Sequence, residues 1–541
     1  MLRIVLATLN ARYSHASFGL RYLLANLGPH RQLATLREFT IEQPPLTIVE
    51  QLLAEAQPGE PLLIGFGVYI WNITETTEVI ALLRTIRPDL RIVIGGPEVS
   101  FEFEDTEIFR LCDHLIIGEG DVAFRELVGD LLAGKTREKV VRAALPDIAA
   151  LRLPYDEYTD TDLRERMLYV EASRGCPFQC EFCLSSLDER VRAFPLDSFL
   201  AALKQLLARG ARGFKFVDRT FNLNIRISVA ILEFCLANYR PGFELHFEMI
   251  PDRLPVELRL LLARFPAGAV QLEIGIQTFS KPVLKNISRS QNFDRLEANL
   301  RFLREETGVH VHSDLIFGLP GETLDSFAAG FDQLMAMKPG EIQLGFLKRL
   351  RGTPIIRHTE SAGLRFSPLP PYEILQTDLV PFAQLQAMKR FARYFDIYYN
   401  SGNFVLAMEL LLATAATPFS AFSRFAHWLY ETTHQTHEFA LVRRYELIFA
   451  YLTTQCSVDP AELGSALIRD YDRKQVRRQR LEFLRPYVAS VAPATNRDSD
   501  AARTAHTGKR RGLPPRAASE PLPVSELPAS TVARRRLPVV A

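Results

Sequence analysis

Residues 173–186 read SRGCPFQCEFCLSS and carry Cys176, Cys180 and Cys183 in a C-x3-C-x2-C spacing. A short apolar run precedes them, so the sequence predicts three thiols on a tight loop directly after a strand. Thiolates grouped in this way are ligands for zinc or for an iron–sulfur cluster. Because the next histidine downstream is His246, the spacing favours a cluster with one open coordination position over a closed zinc site.

The region that follows the cysteines alternates strand-like and helical patterns. Its strand-like runs, counted from just before the cysteines, are MLYVEAS, GFKFVD, ELHFEMI, AVQLEIGIQ, HVHSDLIFGLP and EIQLGFLK. About six β/α repeats predict an incomplete barrel of parallel strands. Catalytic groups in such barrels lie at the carboxyl ends of the strands. The cysteine loop follows the first strand, so we expect it to open at the catalytic face.

The first 140 residues show the same alternation, with the strand-like runs LRIVLATL, LLIGFGVYIW, RIVIGG and HLIIGEG. This rhythm predicts a doubly wound parallel sheet, which binds ligands in the crevice beyond the carboxyl ends of its strands. Gly95, Gly96, Gly118 and Glu119 fall at those ends. The glycines would let the backbone approach a flat or bulky ligand, although tight turns alone would also require them.

The predicted fold is therefore α/β with several parts. We expect an N-terminal doubly wound sheet over 1–140, a Pro-containing linker over 141–166 and a central partial (β/α)6 barrel over 167–368. An aromatic-rich helical C-terminal domain is expected over 369–490, where the aromatic residues are interpreted as core. The tail 491–541 is rich in Ala, Pro, Ser, Thr and Arg and is predicted to be disordered.

Composition narrows the class of protein. A chain of 541 residues with 47% hydrophobic and 23% charged residues indicates several globular domains. The 64 Lys and Arg balance the 63 Asp and Glu, so no overall field favours nucleic acid or an anionic membrane. There is no signal-peptide pattern, no apolar run of the roughly 18 to 20 residues that a membrane helix needs, and no secreted disulfide framework. We therefore expect a cytoplasmic protein without membrane or nucleic-acid partners.

The cysteine motif, with Phe182 directly before its third cysteine and its place at the head of six β/α repeats, resembles that of the radical S-adenosylmethionine (SAM) enzymes. The resemblance implies a [4Fe–4S] cluster held by Cys176, Cys180 and Cys183. It further implies that SAM binds the cluster through its amino and carboxylate groups. An electron from the cluster then breaks the sulfonium and releases a 5′-deoxyadenosyl radical.

The same resemblance implies supporting roles at other matching positions. They are Phe182 beside the adenine, Asp218, Arg219 and Asn222 around the SAM amino end, Glu273 and Gln277 at the ribose or methionyl portion, and Gly318 against the adenine. Structural alternatives stand beside these roles. Asp218 and Asn222 would suit a helix cap, Glu273 would suit an ion pair with an Arg in the barrel, and glycines would suit turns.

The sheet domain, with IGGPEVSFE and IIGEGDVAFRELV, resembles the cobalamin-binding domain of cobalamin-dependent radical SAM enzymes. Gly95, Gly96, Gly118 and Glu119 would then contact cobalamin. The lower-ligand motif D-x-H-x-x-G is absent, because the first loop reads YSHASFG and lacks the Asp before His15. His15 is then a cobalt ligand or a loop or interface histidine, and the domain either binds cobalamin without a protein imidazole or keeps only the fold. The helical region, with PPYEIL and YYNSGNF, resembles a C-terminal domain of unassigned function found in one branch of these enzymes.

These resemblances imply an enzyme in which one SAM methylates reduced cobalamin and another yields the radical that takes hydrogen from an unactivated carbon. The substrate radical then collects the methyl group. One alternative is a radical rearrangement, cyclisation or oxidation without methyl transfer, and another is a non-catalytic metal-binding interaction module. The implied partners are a small-molecule substrate of unknown identity and an external electron donor such as a flavodoxin or ferredoxin. No catalytic side chain is assigned.

Overall fold

The computed structural model describes residues 2–57, 59–473 and 480–488. The predicted disordered tail, 491–541, lies outside the described residues. Within the described part of the chain, no helix is both long enough and apolar enough to span a membrane.

The N-terminal region is a parallel sheet of six strands in the order β2-β1-β3-β4-β5-β6. Its strands are β1 (Arg3–Asn10), β2 (Ala34–Thr40), β3 (Leu62–Gly67), β4 (Arg91–Gly95), β5 (His114–Ile117) and β6 (Val140–Arg142), and its helices are α1 (Phe18–Ala25), α2 (Pro45–Leu53), α3 (Ile73–Ile86), α4 (Glu107–Leu111) and α5 (Gly120–Leu132). Strand β3 is buried at every position because helices cover both faces of the sheet. The predicted doubly wound sheet is confirmed, and its strand order reverses between β1 and β3.

Helix α6 (Asp160–Glu165) leads into a second parallel sheet of six strands, ordered β14-β13-β12-β11-β10-β7. The elements of this region are β7 (Tyr169–Val170), the short strands β8 (Ser173–Arg174) and β9 (Arg192–Ala193), α7 (Leu196–Ala208), β10 (Gly213–Phe216), α8 (Ile225–Ala237), β11 (Glu244–Met249), α9 (Val256–Leu262), β12 (Val270–Gln277), α10 (Lys281–Asn286), α11 (Phe293–Glu306), β13 (His310–Phe317), α12 (Leu324–Met337) and β14 (Glu341–Phe346). Buried and half-buried residues alternate along β12, as expected when one strand face packs on helices and the other faces a barrel interior. The predicted partial (β/α)6 barrel is confirmed.

The C-terminal region is helical after one small hairpin. It comprises β15 (Arg365–Phe366), β16 (Ile374–Gln376), α13 (Phe382–Phe395), a π-helical turn (Asp396–Asn400), α14 (Val405–Leu412), α15 (Pro418–Thr433), α16 (Leu441–Thr454), α17 (Pro460–Asp472) and α18 (Arg485–Val488). Phe391 of α13 packs edge-on against Phe331 of the barrel helix α12, with ring centroids 5.4 Å apart. The Asn400 side chain bonds to both the N–H and the C=O of Ile342, at 3.2 and 2.8 Å. The helical region therefore covers the outer edge of the barrel at β14, and its aromatic residues form core.

Candidate functional site

The cysteine loop is closed at its base by the β8–β9 hairpin, in which Ser173 pairs with Ala193 and Arg174 with Arg192. Gly175 then turns the chain with a φ of 92°. A Cβ atom added to Gly175 would lie 2.2 Å from the Arg190 carbonyl oxygen, so this position requires glycine. The hairpin holds the first cysteine near the carboxyl end of β10, where Cys176 Sγ lies 3.9 Å from Thr220 Oγ1.

The three thiols of the loop lie close together. Cys176 and Cys180 are buried, Cys183 is half-buried, and all are free thiols. Burial raises the pKa of Cys180, the guanidinium of Arg289 opposes this rise, and the charges of Cys183 and Cys176 add to it. Arg289 Nη1 lies 3.4 Å from Cys180 Sγ. A cation at this distance favours the thiolate, which is the form that binds metal.

The donor set suits a cluster better than a single ion. Among the described residues, no three His, Cys, Asp or Glu side chains converge as ligands of one metal ion. In a cubane cluster each thiolate binds a different iron, so the sulfur atoms need only to surround the cluster. Three neighbouring thiols on one loop fit that requirement and would leave one iron free to bind another ligand.

Glu181 anchors the middle of the loop, and the sequence analysis did not single it out. Its buried carboxylate accepts hydrogen bonds from Ser288 Oγ at 2.6 Å and His358 Nε2 at 2.9 Å, and it pairs with Arg357. These partners come from the segment after α10 and from the chain beyond β14. Phe182 follows, half-buried against the main hydrophobic core.

Two predicted residues after β10 are bound to the protein itself. Asp218 accepts hydrogen bonds from Ala172 N at 2.9 Å and Ser173 Oγ at 2.6 Å, so it ties β10 to the start of the cysteine hairpin. Burial raises the pKa of Asp218 to about 6, and these hydrogen bonds limit the rise. The Asn222 amide bonds to both backbone groups of Ile250, each at 2.9 Å. Neither side chain caps a helix in these contacts, and contact with SAM stays a prediction for both.

Arg219, which directly follows Asp218, is exposed. Its Nη1 atom lies 3.4 Å from Glu248 Oε1. Glu248 stands on β11 with its side chain partly buried. Arg219 therefore borders the barrel opening without a tight ion pair, and its predicted role beside SAM is not tested by this contact.

Glu273 lies inside the barrel on β12. Its Oε2 atom is 2.8 Å from His246 Nε2 and 3.8 Å from Lys215 Nζ. The hydrogen bond with His246 outweighs burial and, together with Lys215, lowers the pKa of Glu273 to about 2. The expected alternative of an ion pair with an Arg in the barrel is therefore replaced by a His and a Lys.

Above this pair, two buried polar atoms lack a hydrogen-bond partner among the described residues. They are Asp314 Oδ1 and His312 Nε2, which lie 3.9 Å apart on β13. Burial, together with the charges of Glu273, Glu248 and Glu341, raises the pKa of Asp314 to about 8. Buried polar atoms without a partner indicate space for a ligand group that forms hydrogen bonds with them.

Gln277 ends β12 in a strained conformation. Its φ of 71° lies in the left-handed region, and the pairing of β12 with β13 shifts register between Gly275 and Gln277. Its Oε1 atom is buried, without a hydrogen-bond partner in the described structure. Arg289, which contacts Cys180, also donates to the Gly275 carbonyl oxygen. The end of β12 and the cysteine loop therefore share one side chain, which the sequence analysis missed.

Gly318 follows β13 with a φ of 88°. A Cβ atom added there would lie 2.8 Å from Ile374 Cγ2, so the close approach of the C-terminal region requires glycine. The Gly318 N–H donates to Glu322 Oε2 at 3.2 Å, and Thr278 donates to Oε1 at 3.1 Å. Burial raises the pKa of Glu322 to about 8. The predicted contact of Gly318 with adenine is not tested by these contacts.

A cavity of about 290 Å³ opens at the carboxyl ends of the N-terminal strands. Its walls are mostly apolar and lie between the sheet and helices α1 and α5. The four residues predicted from the sequence, Gly95, Gly96, Gly118 and Glu119, all line it. Tyr69 also lines it, and its ring stacks on that of Trp71 with centroids 4.5 Å apart.

The glycines of this edge have identifiable structural causes. Gly96 has a φ of 121°, and an added Cβ would lie 2.3 Å from the Val68 carbonyl oxygen. Gly118 has a φ of 89° with no such clash. Gly96 is therefore required by close packing of two loops, whereas Gly118 is required by its backbone conformation.

The cavity and the cysteine hairpin share a wall made by Arg174 and Glu171. Arg174 Nη1 lies 2.7 Å from Glu119 and 2.9 Å from Asp121, and its Nε lies 2.9 Å from Glu171. Burial raises the pKa of Glu171 to about 7. Burial would also raise the pKa of Glu119, but Arg192 and Arg174 lower it overall. Only Gly175 separates Arg174 from Cys176, so the sheet cavity borders the cysteine loop directly.

His15 lies at the contact between the sheet domain and the barrel. Its Nδ1 atom is 2.5 Å from the Tyr169 hydroxyl oxygen, and its backbone forms a β-bridge with Met167. This geometry is that of the interface histidine that the sequence analysis left open beside a cobalt ligand.

Comparison with known families assigns the three regions. Residues 4–128 match the model described as "B12 binding domain", residues 170–334 match "Radical SAM superfamily", and residues 360–506 match "Protein of unknown function (DUF4080)". The chain carries a radical SAM domain and a B12-binding domain. The regions recognised from IGGPEVSFE, the cysteine motif and PPYEIL are confirmed by these matches.

Proteins named as methyltransferases resemble this chain in sequence. "Uncharacterized methyltransferase PH0819" of Pyrococcus horikoshii is 25% identical over 350 residues, which cover 57% of this chain and 74% of that protein. "Cobalamin-dependent radical SAM methyltransferase TokK" of Streptomyces tokunonensis is 28% identical over 335 residues, covering 51% of this chain and 45% of TokK. The chain thus spans less than half of the length of TokK.

The solved structure of OxsB with aqua-cobalamin and S-adenosylmethionine bound has the same fold. Its TM-score is 0.58 at 15% identity, and the match covers 87% of this chain and 83% of OxsB. The likeness therefore extends over most of the chain.

Proposed function

We propose that this protein is a cobalamin-dependent radical SAM methyltransferase that methylates an unactivated carbon of a small molecule. The observation that carries the proposal is the shared wall of Arg174 and Glu171 between the glycine-edged cavity and the cysteine loop. A methyltransferase of this class needs a cobalamin site and a cluster site that face one substrate. Similarity to proteins named as methyltransferases supports the choice of reaction.

Cys176, Cys180 and Cys183 would hold the cluster, with Arg289 stabilising the Cys180 thiolate. The apolar cavity between the sheet and α1 would take a flat aromatic part of cobalamin, with Gly95, Gly96, Gly118 and Glu119 at its edge. Bound there, the cluster supplies the electron that cleaves SAM, and cobalamin carries the methyl group to the substrate. Because His15 is engaged with Tyr169, we propose that no protein imidazole reaches cobalt.

SAM would bind at the open face of the barrel, near the cysteines. We propose contacts from the residues that the motif comparison implied, namely Phe182, Asp218, Asn222, Glu273, Gln277 and Gly318. The contact of Gln277 with SAM has the strongest support, since its Oε1 atom is buried and has no hydrogen-bond partner among the described residues. The proposed contact of Asn222 with SAM has less support, because the N–H and C=O of Ile250 already bond to both ends of its side-chain amide.

The wider setting is also part of the proposal. A flavodoxin or ferredoxin would supply the electron, and six free thiols fit the reducing cytoplasm. We propose that the chain divides into a sheet domain (1–140), a linker (141–166), a barrel (167–368) and a helical domain (369–490). Methyl transfer is favoured over rearrangement or oxidation by the named relatives alone.

The experiment is a product analysis of SAM under anaerobic reduction. Protein reconstituted with iron, sulfide and cobalamin is incubated with SAM, a reductant and a library of small-molecule extracts. Methyl transfer predicts that S-adenosylhomocysteine and 5′-deoxyadenosine both accumulate when a substrate is present. If every extract that stimulates SAM cleavage yields 5′-deoxyadenosine without S-adenosylhomocysteine, methyl transfer is contradicted. If neither product forms, the radical SAM activity is contradicted.

A further inference from the structure

One loop at the edge of the sheet cavity is held by parts of the chain that lie far away in sequence. This loop, residues 95–103, begins with Gly95 and Gly96, which line the cavity, and continues through the single 3-10 turn Pro97–Val99. Val68 N donates to the Gly95 carbonyl at 2.8 Å. Only Pro97 separates Glu98 from Gly96, so a change in the position of Glu98 would also move the two glycines.

Glu98 is 4% exposed and accepts two hydrogen bonds on one oxygen. Its Oε1 atom lies 2.7 Å from the Tyr372 hydroxyl oxygen and 2.9 Å from Arg351 Nε. Arg351 Nη2 in turn donates to the Tyr372 hydroxyl at 3.0 Å. We name these three side chains the Glu98 clamp. It joins the sheet domain, the chain just beyond β14 and the region matched by the C-terminal family model.

A second contact fixes the other end of the same loop. Gly352 N donates to Glu102 Oε1 at 3.1 Å, and Arg349 pairs with the same carboxylate. A Cβ atom added to Gly352 would lie 2.4 Å from Phe101 Cγ, so the two backbones approach closely here. The loop therefore contacts the chain beyond β14 at Glu98, Phe101 and Glu102, and the Glu98 carboxylate of the clamp is buried.

Tyr372 is itself held in an unusual backbone conformation. Its φ of 52° lies in the left-handed region, which residues other than glycine rarely adopt. Its N–H donates to the Leu369 carbonyl at 2.9 Å, and its C=O accepts from Arg349 N at 3.0 Å. The strain is tolerated where the ring and hydroxyl reach across to Glu98.

We propose that Tyr372 is a positioning residue for cobalamin: through Glu98, it holds the Gly95–Gly96 edge of the cavity in its binding shape. The inference rests on the proposed function, in which that cavity takes cobalamin. It assigns to the start of the C-terminal region a task at the cofactor site. Removing the hydroxyl leaves Glu98 with Arg351 as its only side-chain partner among the described residues.

The test uses the full chain and hydroxocobalamin as the probe. Tyr372→Phe removes one hydroxyl, and Tyr394→Phe is the matched control, because the Tyr394 hydroxyl also donates one hydrogen bond at 2.6 Å but within the helical region. We expect Tyr372→Phe to weaken cobalamin binding about tenfold, the usual cost of losing a hydrogen bond to a charged group. Tyr394→Phe should bind cobalamin like the natural protein.

A second measurement keeps the inference separate from the proposed function. Hydrogen exchange of the amides of residues 95–103, without cobalamin, should speed up in Tyr372→Phe and in Glu98→Gln but not in Tyr394→Phe. If Tyr372→Phe shows natural exchange and natural cobalamin affinity, the clamp has no positioning role and the inference is overturned. If the natural protein binds no cobalamin, the proposed function and the cofactor part of the inference both fail, while faster exchange would still establish the clamp.

Discussion

Two opposing effects act on the pKa of the Cys180 thiol. Burial disfavours its thiolate and raises its pKa, yet the Arg289 guanidinium 3.4 Å away favours the charged form. A buried thiol with a cation beside it is poised to bind metal, whereas a buried thiol in apolar surroundings is inert. Cys235 on α8 is of the second kind, since burial raises its pKa to about 12.

We predict that Cys180→Ala abolishes both cluster incorporation and SAM cleavage. The reason is that two thiolates cannot replace three around the proposed cluster. Iron content and the formation of 5′-deoxyadenosine are the measurements. Cys456→Ala is the control, because Cys456 is a free thiol in the helical region, and it should retain both. Cluster-dependent SAM cleavage that survives in Cys180→Ala would contradict the assignment.

Asp314 gives a pH-dependent prediction about stability. Burial raises its pKa to about 8 in the folded protein, whereas the unfolded chain loses the proton near its usual value of about 3.9. The folded state therefore holds more protons over this range, and stability falls as the pH rises towards 8. Asp314→Asn has no charge to bury and should escape this loss.

We expect Asp314→Asn to be more stable than the natural protein by roughly 1–3 kcal/mol at pH 8, with a smaller gain at pH 5.5. Thermal unfolding of the protein without cofactors at both pH values measures this difference. Asp105→Asn, at an exposed carboxylate, is the control and should change little at either pH. A gain for Asp314→Asn that is the same at pH 5.5 and pH 8 would rule out titration of Asp314 as its cause.

At the scale of elements, the β8–β9 hairpin decides where the cysteines stand. It has only two residue pairs, and Gly175 completes it by passing against the Arg190 carbonyl. Contacts from Asp218 and Glu181 then fix the start and the middle of the loop. Short segments therefore build the site, and contacts at Gly175, Asp218 and Glu181 fix their positions.

We predict that Gly175→Ala prevents cluster incorporation because its Cβ would lie 2.2 Å from a backbone oxygen. Gly210→Ala is a matched control, since Gly210 has a φ of 101° but no atom within 4 Å of an added Cβ. Both variants carry the cost of a left-handed alanine, about 1 kcal/mol, and only Gly175→Ala carries the clash. Iron content measures the outcome, and equal iron content in both variants would contradict the role given to the hairpin.

The strands and the cysteine loop could be predicted because the sequence patterns that indicate them lie within short stretches of the chain. Strands such as β3 and β12 are continuous or alternating apolar runs, and the three cysteines lie within eight positions of each other. Arg174, Glu181 and Arg289 were missed because their partners lie far away in the chain, with Glu181 bound by residues more than one hundred positions downstream. Charged residues are common in loops, and nothing in their own sequence marks these three as special.

At the scale of the whole molecule, two of the sets of ionic contacts that join the sheet domain to the barrel region lie beside the cavity. One set joins Arg174 and Arg192 of the cysteine hairpin to Glu119, and the other joins Arg351 to Glu98. Both sets use residues from the loops that edge the cavity. The proposed cobalamin site and cluster site are thus parts of one structure, and the C-terminal region contributes to it through Tyr372.

Electron paramagnetic resonance of the protein loaded with both cofactors tests whether cobalamin and the cluster occupy adjoining sites. Protein is reconstituted with cluster and cobalamin, and the signals of cob(II)alamin and of the reduced cluster are recorded singly and together. If the sites adjoin, each signal is broadened or split when the other centre is paramagnetic, and Cys180→Ala restores the isolated cob(II)alamin signal. Two unperturbed signals at full occupancy of both cofactors would contradict adjoining sites.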